Sequence, residues 1–262
     1  MIRIACVGDN CVDYYDNTNE AFFGGNPVNV AVYVCRLGGK SSYLGAVGDD
    51  SYGEMMCLAL QDKGVDTSHV KVLSGATALT HVCRIDGERV FGDYEEGVMA
   101  EFSLCEEDIA FMCQHDMVVS GRWGHAEGEL HKVHRQGIPV AFDCAENPLD
   151  GSSLVALPFT DIAFFADDTS DEAALQGKIK QVAALGPKLV VATRGSIGSM
   201  AYDGENFYTY GIVPCEVGDT MGAGDSYIAG FLMAWLQKKD IPACMAAAAA
   251  NAAETISYCG AW

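Results

Sequence analysis

Positive charge is scarce in this 262-residue chain: 16 Lys and Arg stand against 36 Asp and Glu, for a formal net charge of −20. A nucleic-acid binder needs a basic face for phosphates, and no Lys/Arg cluster supplies one. Long apolar runs are also missing. The alanine run at 246–250 is broken by Asn251, well short of the ~18 residues that span a bilayer. The apolar run at 2–7 is too short for a secretion signal and ends in Gly8 and Asp9, so a cytoplasmic location is expected. The 11 cysteines are odd in number and form no C-x-x-C, which removes the usual zinc and thioredoxin-like spacings. Free buried thiols are expected. With only 7 Pro, no Pro-, Ser- or charge-rich linker and no repeat, residues 1–262 read as one domain.

What the chain does have is alternation. Half of it is hydrophobic, and apolar runs at 1–7, 116–119, 138–142, 161–165 and 189–193 are separated by stretches of helical length. Strands joined by helices imply right-handed crossovers and a mainly parallel sheet covered on both faces, an α/β fold. A helix is expected from Asn26, which can cap it, with Pro27 in its first turn and Gly38 beyond its end. A second is expected over 51–63, with Asp50 as cap. Two more are expected at 223–239 and 242–258. Between Gly75 and Gly97 the pattern changes to strand-like alternation around Asp86-Gly87, a type I′ turn signal. Together with 14–23 this hairpin reads as a small β lid.

Glycine-bearing turns stand where strands should hand over to helices, at the sheet edge where open α/β folds bind ligands. Two nucleotide motifs fail there. A P-loop ending in Gly39-Lys40-Ser41 would need glycine at position 34, which is Val34, and a dinucleotide fingerprint through Gly222 and Gly224 would need glycine at 227, which is Tyr227. The segment Asp219-Thr220-Met221-Gly222-Ala223-Gly224-Asp225 carries more chemistry. Its glycines let successive amides point outward at a helix N-terminus, an anion site suited to a transferring phosphoryl group. Asp225 then reads either as a helix-capping carboxylate or as the base that takes the proton of an attacking hydroxyl.

Asp219-Thr220-x-Gly222-Ala223-Gly224-Asp225 resembles the C-terminal signature of the PfkB family of carbohydrate kinases. Gly24-Gly25-Asn26-x-x-Asn29, with Gly45-x-Val47-Gly48-Asp49-Asp50-x-x-Gly53, resembles its N-terminal one. The resemblance covers the whole chain and implies a ribokinase-like fold: a mainly parallel central sheet, helices on both faces and a β lid. Further blocks, at 8–13, 90–100, 123–127 and 260–262, are similar to members that act on fructoselysine, moving the γ-phosphoryl of ATP to its 6-hydroxyl. Carried over by position, Asp225 is the base and the amides of Gly222, Ala223 and Gly224 the anion hole. Asp13, Gly25 and Asn29 hold sugar hydroxyls, and Thr193, Gly195 and Asn251 belong to the nucleotide site. ATP and Mg²⁺ are implied as cofactors, a K⁺ ion near Asp219 as a possible third, and a homodimer through the lid. One departure stands out. The family's Asn-x-x-Glu falls on Ala166 and Thr169, so Mg²⁺ is either served through water by Asp167 or Asp168, or those residues cap a helix and the metal ligands are unknown.

Other residues keep two readings. His125 either faces the sugar or packs in its loop, and Asp143 either binds substrate or caps the segment after its strand. Arg84 and Glu95 on the lid either hold the charged aminoacyl tail of a fructosamine or form a solvated face. The function expected is ATP-dependent fructoselysine phosphorylation. Kinases of fructose, ribose or 2-keto-3-deoxygluconate, or a non-catalytic sugar-binding regulator, are the alternatives.

Overall fold

The computed structural model describes residues 1–85 and 88–262, with backbone alone for 84, 85 and 88–91. The chain runs β1 (Arg3–Val7), β2 (Cys11–Tyr15), β3 (Glu20–Gly24), α1 (Asn26–Arg36), β4 (Lys40–Leu44), β5 (Ala46–Gly48), α2 (Ser51–Asp62), β6 (Lys71–Leu73), β7 (Leu79–Ile85) and β8 (Glu88–Glu95). It continues α3 (Glu106–Met112), β9 (Met117–Gly121), α4 (Leu130–Arg135), β10 (Val140–Asp143), α5 (Gly151–Ala156), β11 (Ile162–Ala166), α6 (Glu172–Ala183) and β12 (Leu189–Thr193). The last elements are β13 (Ser199–Tyr202), β14 (Phe207–Tyr210), α7 (Ala223–Leu236) and α8 (Ile241–Thr255).

The main sheet has eight strands in the order β14-β13-β12-β11-β10-β9-β1-β4, parallel from β4 to β12 and antiparallel at β13 and β14. Because side chains alternate across a strand, each central strand feeds two cores. Ile4, Cys6, Val119, Phe164 and Val191 pack on one face with α1, α2, α7 and α8. Ala5, Val7, Val118, Phe165 and Val190 pack on the other with α3 to α6. The lid is a four-stranded sheet, β3-β2-β7-β8, formed where the segments at 14–23 and 75–97 are expected to make one. The Asp86-Gly87 turn lies outside the described residues. A two-stranded pair, β5 with β6, is an addition that short apolar runs do not announce.

Two expectations change. Helix α1 is capped by Gly25, at φ 108°, and not by Asn26, whose side chain turns away to the carboxylates described below. A Cβ at Gly25 would lie 2.6 Å from Asn10 Cα, so this turn admits only glycine. The eleven cysteines are free, but Cys105, Cys215 and Cys259 are exposed rather than buried. Among the described residues no helix is long and apolar enough to cross a membrane.

Arg36 ties three helices together. From the end of α1 it donates to Ser226 Oγ on α7 at 3.3 Å, to Asn251 Oδ1 and Thr255 Oγ1 on α8, both at 2.8 Å, and to the Tyr258 hydroxyl at 2.7 Å. Since Asn251 and Thr255 are buried, losing this donor strands their acceptors. Arg36→Ala is expected to cost about 2 kcal/mol and to lower Tm by roughly 5 °C, as scanning calorimetry would read.

Candidate active site

Strands β1 and β10 flank β9 and end at the same carboxyl edge of the sheet, and the turn into α1 and the first turn of α7 meet them there. Four side chains converge. Asn26 Nδ2 donates to Asp143 Oδ2 at 2.8 Å and to Asp225 Oδ1 at 2.7 Å. Asn29 Nδ2 donates to Asp225 Oδ2 at 2.7 Å, and the Trp262 indole holds Asn29 Oδ1 at 2.9 Å. The Asn26 backbone amide donates to Asp9 Oδ2 at 3.2 Å. Burial pushes all three carboxyls up, Asp225 to about 7 and Asp143 and Asp9 to about 6 each. Asp225 is raised further by the charges of Asp143 and Asp9, against the two amides that stabilise its ionised form. Its two oxygens accept one side-chain hydrogen bond each, which leaves lone pairs for an acceptor hydroxyl.

Asp225 stands in the first turn of α7, where carboxylates are favoured. The helix starts at Gly222, in the left-handed region at φ 71°, where a Cβ would lie 2.3 Å from the Tyr33 hydroxyl. At Gly224 a Cβ would meet nothing within 4 Å, so packing within the chain does not require that glycine. Of the three amides assigned to an anion hole, that of Ala223 donates to the Thr220 carbonyl at 3.3 Å.

On the other side of Gly224 lies a mainly apolar cavity of about 630 Å³, with Thr193, Gly195, Ala223 and Gly224 in its wall and Ile212 and Val213 beside them. Thr193 and Gly195, expected in a nucleotide-binding turn, both line this cavity. Asn251 is not in this wall. Helix α8 presents Ala249, Ala252 and Ala253 there, while the Asn251 amide is buried, accepting from Arg36 and donating to the Ser226 carbonyl at 2.7 Å. The small side chains of these three alanines leave room for the cavity.

The lid closes the other flank, and its register sorts its residues. Asp13 pairs with Thr80, and Thr80 with Tyr94, so these three share a face with Cys11, whose Sγ lies 2.8 Å from Thr80 Oγ1. Asp13 Oδ2 and the Asn29 amide both lie within 4 Å of where a Gly24 Cβ would be. Burial raises the Tyr94 hydroxyl, and the charges at Cys11 and Asp9 raise it further. Glu95 falls on the opposite face, with its carboxylate 3.8 Å from His81 Nε2 and largely exposed. Of the two readings of Glu95, the solvated face is the one this register favours, since one step along a strand reverses a side chain. The Arg84 side chain lies outside the described residues. His125, at φ 51°, pairs with Glu96 Oε1 at 2.5 Å, a contact between lid and main sheet.

A profile of pfkB family carbohydrate kinases matches residues 1–261. The chain belongs to this family. It is 46% identical to a fructoselysine 6-kinase of Shigella flexneri and 45% identical to one of Escherichia coli, over all of both chains in each case. A fructosamine kinase of Bacillus subtilis is 33% identical over all of this chain and 93% of its own. The solved Arabidopsis thaliana ribokinase superposes with a TM-score of 0.88 over 99% of this chain and 93% of that one, at 21% identity. The Xylella fastidiosa fructokinase gives 0.82 over 99% and 93%, at 22%. The fold of this carbohydrate kinase is therefore the ribokinase-like one.

For a divalent metal this pfkB-family kinase offers little of its own. Among the described residues no group of three His, Cys, Asp or Glu is placed to hold one. Ala166 and Thr169 replace the expected ligands. The Asp167 carboxylate pairs with Lys178 and accepts from the Thr169 amide at 3.0 Å, and Asp168 is exposed. The residues present do not form a carboxylate cage. Asp219 accepts from the amides of Met221 and Gly260 at 3.0 and 3.1 Å, which fixes the turn before α7. Asn26, Asp143 and Asp9 are the residues sequence reasoning left without a joint role. The Gly25-Asn26 turn and the strand-end Asp143 were visible signals, but nothing in the sequence joined them.

Proposed function

We propose that this enzyme phosphorylates the 6-hydroxyl of fructoselysine or a closely related fructosamine, with ATP as donor. The observation that carries the chemistry is the position of Asp225: its carboxylate is clamped by Asn26 and Asn29 on one side of the α7 N-terminus, and the apolar cavity opens on the other. The adenosine of ATP occupies that cavity, against Thr193 and Gly195, with the phosphates reaching the first amides of α7. The sugar lies between the lid and α1, where Asp13 and Asn29 present an acceptor and a donor and Gly25 lets the backbone approach.

In the reaction the acceptor oxygen forms a bond to the γ-phosphorus as the bond from phosphorus to the β-phosphate oxygen breaks. The electron pair leaves with ADP, and the hydroxyl proton passes to Asp225. Amides at the start of α7 stabilise the charge on the transferring group. Mg²⁺ carried by the nucleotide would supply charge neutralisation at the phosphates, and no side chain of the Ala166–Thr169 segment is assigned to hold it. Substrate identity is supported by full-length identity of 45–46% to two fructoselysine 6-kinases.

ADP release with fructoselysine as acceptor tests this, with fructose, ribose and 2-keto-3-deoxygluconate as competing acceptors, in K⁺ and in Na⁺ buffers. The expected result is a kcat/KM for fructoselysine at least about 100-fold above the others, since a buried polar site penalises substrates that leave it unpaired. Binding of the sugar without ADP release refutes the reading. The same reading includes a homodimer paired through the lid, whose edge strands β3 and β8 carry unpaired backbone groups. Sedimentation at twice the 27.9 kDa chain mass is expected, and a monomer at working concentration refutes it.

A further inference from the structure

Asp143 touches Asp225 only through Asn26, and that contact is built with care. Both hydrogens of the Asn26 side-chain amide are used, one on each carboxylate. The reverse orientation would press the amide oxygen against two anions, so Asp143 and Asp225 together decide which way Asn26 points. Asp143 is itself held. Its other oxygen accepts from the Ala145 amide at 3.0 Å, and Ala145 adopts φ 51°, a conformation uncommon for a residue with a Cβ. The amide oxygen of Asn26 is buried without a partner and lies 2.7 Å from where a Gly121 Cβ would be, so glycine at the end of β9 is what admits the side chain in this pose. With Asp143 absent, one amide hydrogen would lack an acceptor and Asn26 would be held by its bond to Asp225 alone, which frees it to turn.

We propose that Asp143 is a positioning residue for phosphoryl transfer, acting through the shared Asn26 amide to hold the Asp225 carboxylate in line with the acceptor hydroxyl. This rests on Asp225 being the base. The arrangement has an electrostatic side as well. Asp225 faces Asp143 from β10, Asp9 from the loop after β1 and the Tyr33 hydroxyl from α1, while Asp13 approaches Asn29 from β2. Asp143 and Asp9 push its proton affinity up, and the Tyr33 hydroxyl feels its charge in return. Asp143 therefore both aims the base and makes it a better proton acceptor, at the cost of a higher pH needed to ionise it.

The test compares Asp143→Asn, which keeps an oxygen for the Asn26 amide, with Asp143→Ala, which does not, in steady-state kinetics across pH 5 to 9. Asp143→Asn is expected to lower kcat about tenfold and Asp143→Ala about a hundredfold, with KM for sugar and ATP within about threefold of the native values. In both variants the acid limb of kcat/KM moves to lower pH by about half a unit to one unit, because a neighbouring negative charge has gone. ATP affinity by calorimetry reports that each variant is folded. If turnover is too slow to profile, the Asp225 carboxyl resonance of ¹³C-aspartate-labelled protein, assigned by its loss in Asp225→Asn, reads the same shift directly. A folded Asp143→Ala with native kcat overturns the proposal, as does a loss carried by KM, or an acid limb and an Asp225 titration that do not move. Near-native turnover by Asp225→Asn is a different result and overturns the base assignment instead.

Discussion

Asp225→Asn is expected to lower kcat by about a thousandfold, with KM for ATP within about threefold of native. The substitution keeps the size of the side chain and one oxygen for Asn26 or Asn29, and the apolar cavity lies on the far side of Gly224. What it removes is the proton acceptor. Because a loose phosphoryl-transfer transition state asks for deprotonation late, the loss falls on turnover and not on ground-state binding. The native enzyme should also show an acid limb in kcat/KM near pH 7, since burial and two neighbouring carboxylates raise Asp225 to about 7 and only the ionised form accepts a proton. Activity therefore rises between pH 6 and 8, and a flat profile there, or a variant with near-native kcat, removes Asp225 from the mechanism.

The same cluster makes the unliganded protein less stable as pH rises. Asp225, Asp143 and Asp9 titrate near 7, 6 and 6 in the folded chain, against 3.8 without burial. Between about pH 4 and 7 the native state thus holds more protons than the unfolded state, so raising pH through that window costs stability. His81, raised by Asp16, acts in the same direction. His115, lowered by burial, opposes it only as pH falls through the range of an ordinary histidine. Asp108, Asp50 and Asp66, all lowered, contribute only below the window, where acid unfolds the protein in the usual way. A net loss on the order of 3 kcal/mol from pH 5 to pH 8 corresponds to a fall in Tm of roughly 8 °C. Differential scanning calorimetry across that range checks it, and Asp225→Asn should flatten the slope. A Tm that climbs from pH 5 to 8 would show that the three carboxyls are ionised throughout. Instability of this kind is common where function needs buried charge.

Much of this molecule was legible in the order of its residues. Apolar runs of strand length between helical stretches announced a parallel sheet, because a strand buried on both faces has no polar side to show. The Asp50 cap of α2 and the lid hairpin followed from local chemistry in the same way. So did the Gly222-Ala223-Gly224-Asp225 turn, since glycines before a helix and a carboxylate in its first turn carry their own physical meaning.

Facing and company are set by tertiary structure. Asn251, which ends the alanine run, was expected near the nucleotide, yet the helix rotation that brings Ala249, Ala252 and Ala253 to the cavity turns its amide inward to Arg36. Glu95 and Tyr94 are neighbours in sequence, and only the pairing of Tyr94 with Thr80, in line with Asp13, decides which one faces the site. Asn26 read as a helix cap because local hydrogen bonding favours that role. Its actual partners are 117 and 199 residues away. The sequence alone determined the fold class and the family signatures, and it marked Asp225 as the candidate base. The joining of Asp225 to Asp143 through one amide was decided by packing, because it depends on where β10, α1 and α7 end in space and no local rule connects them.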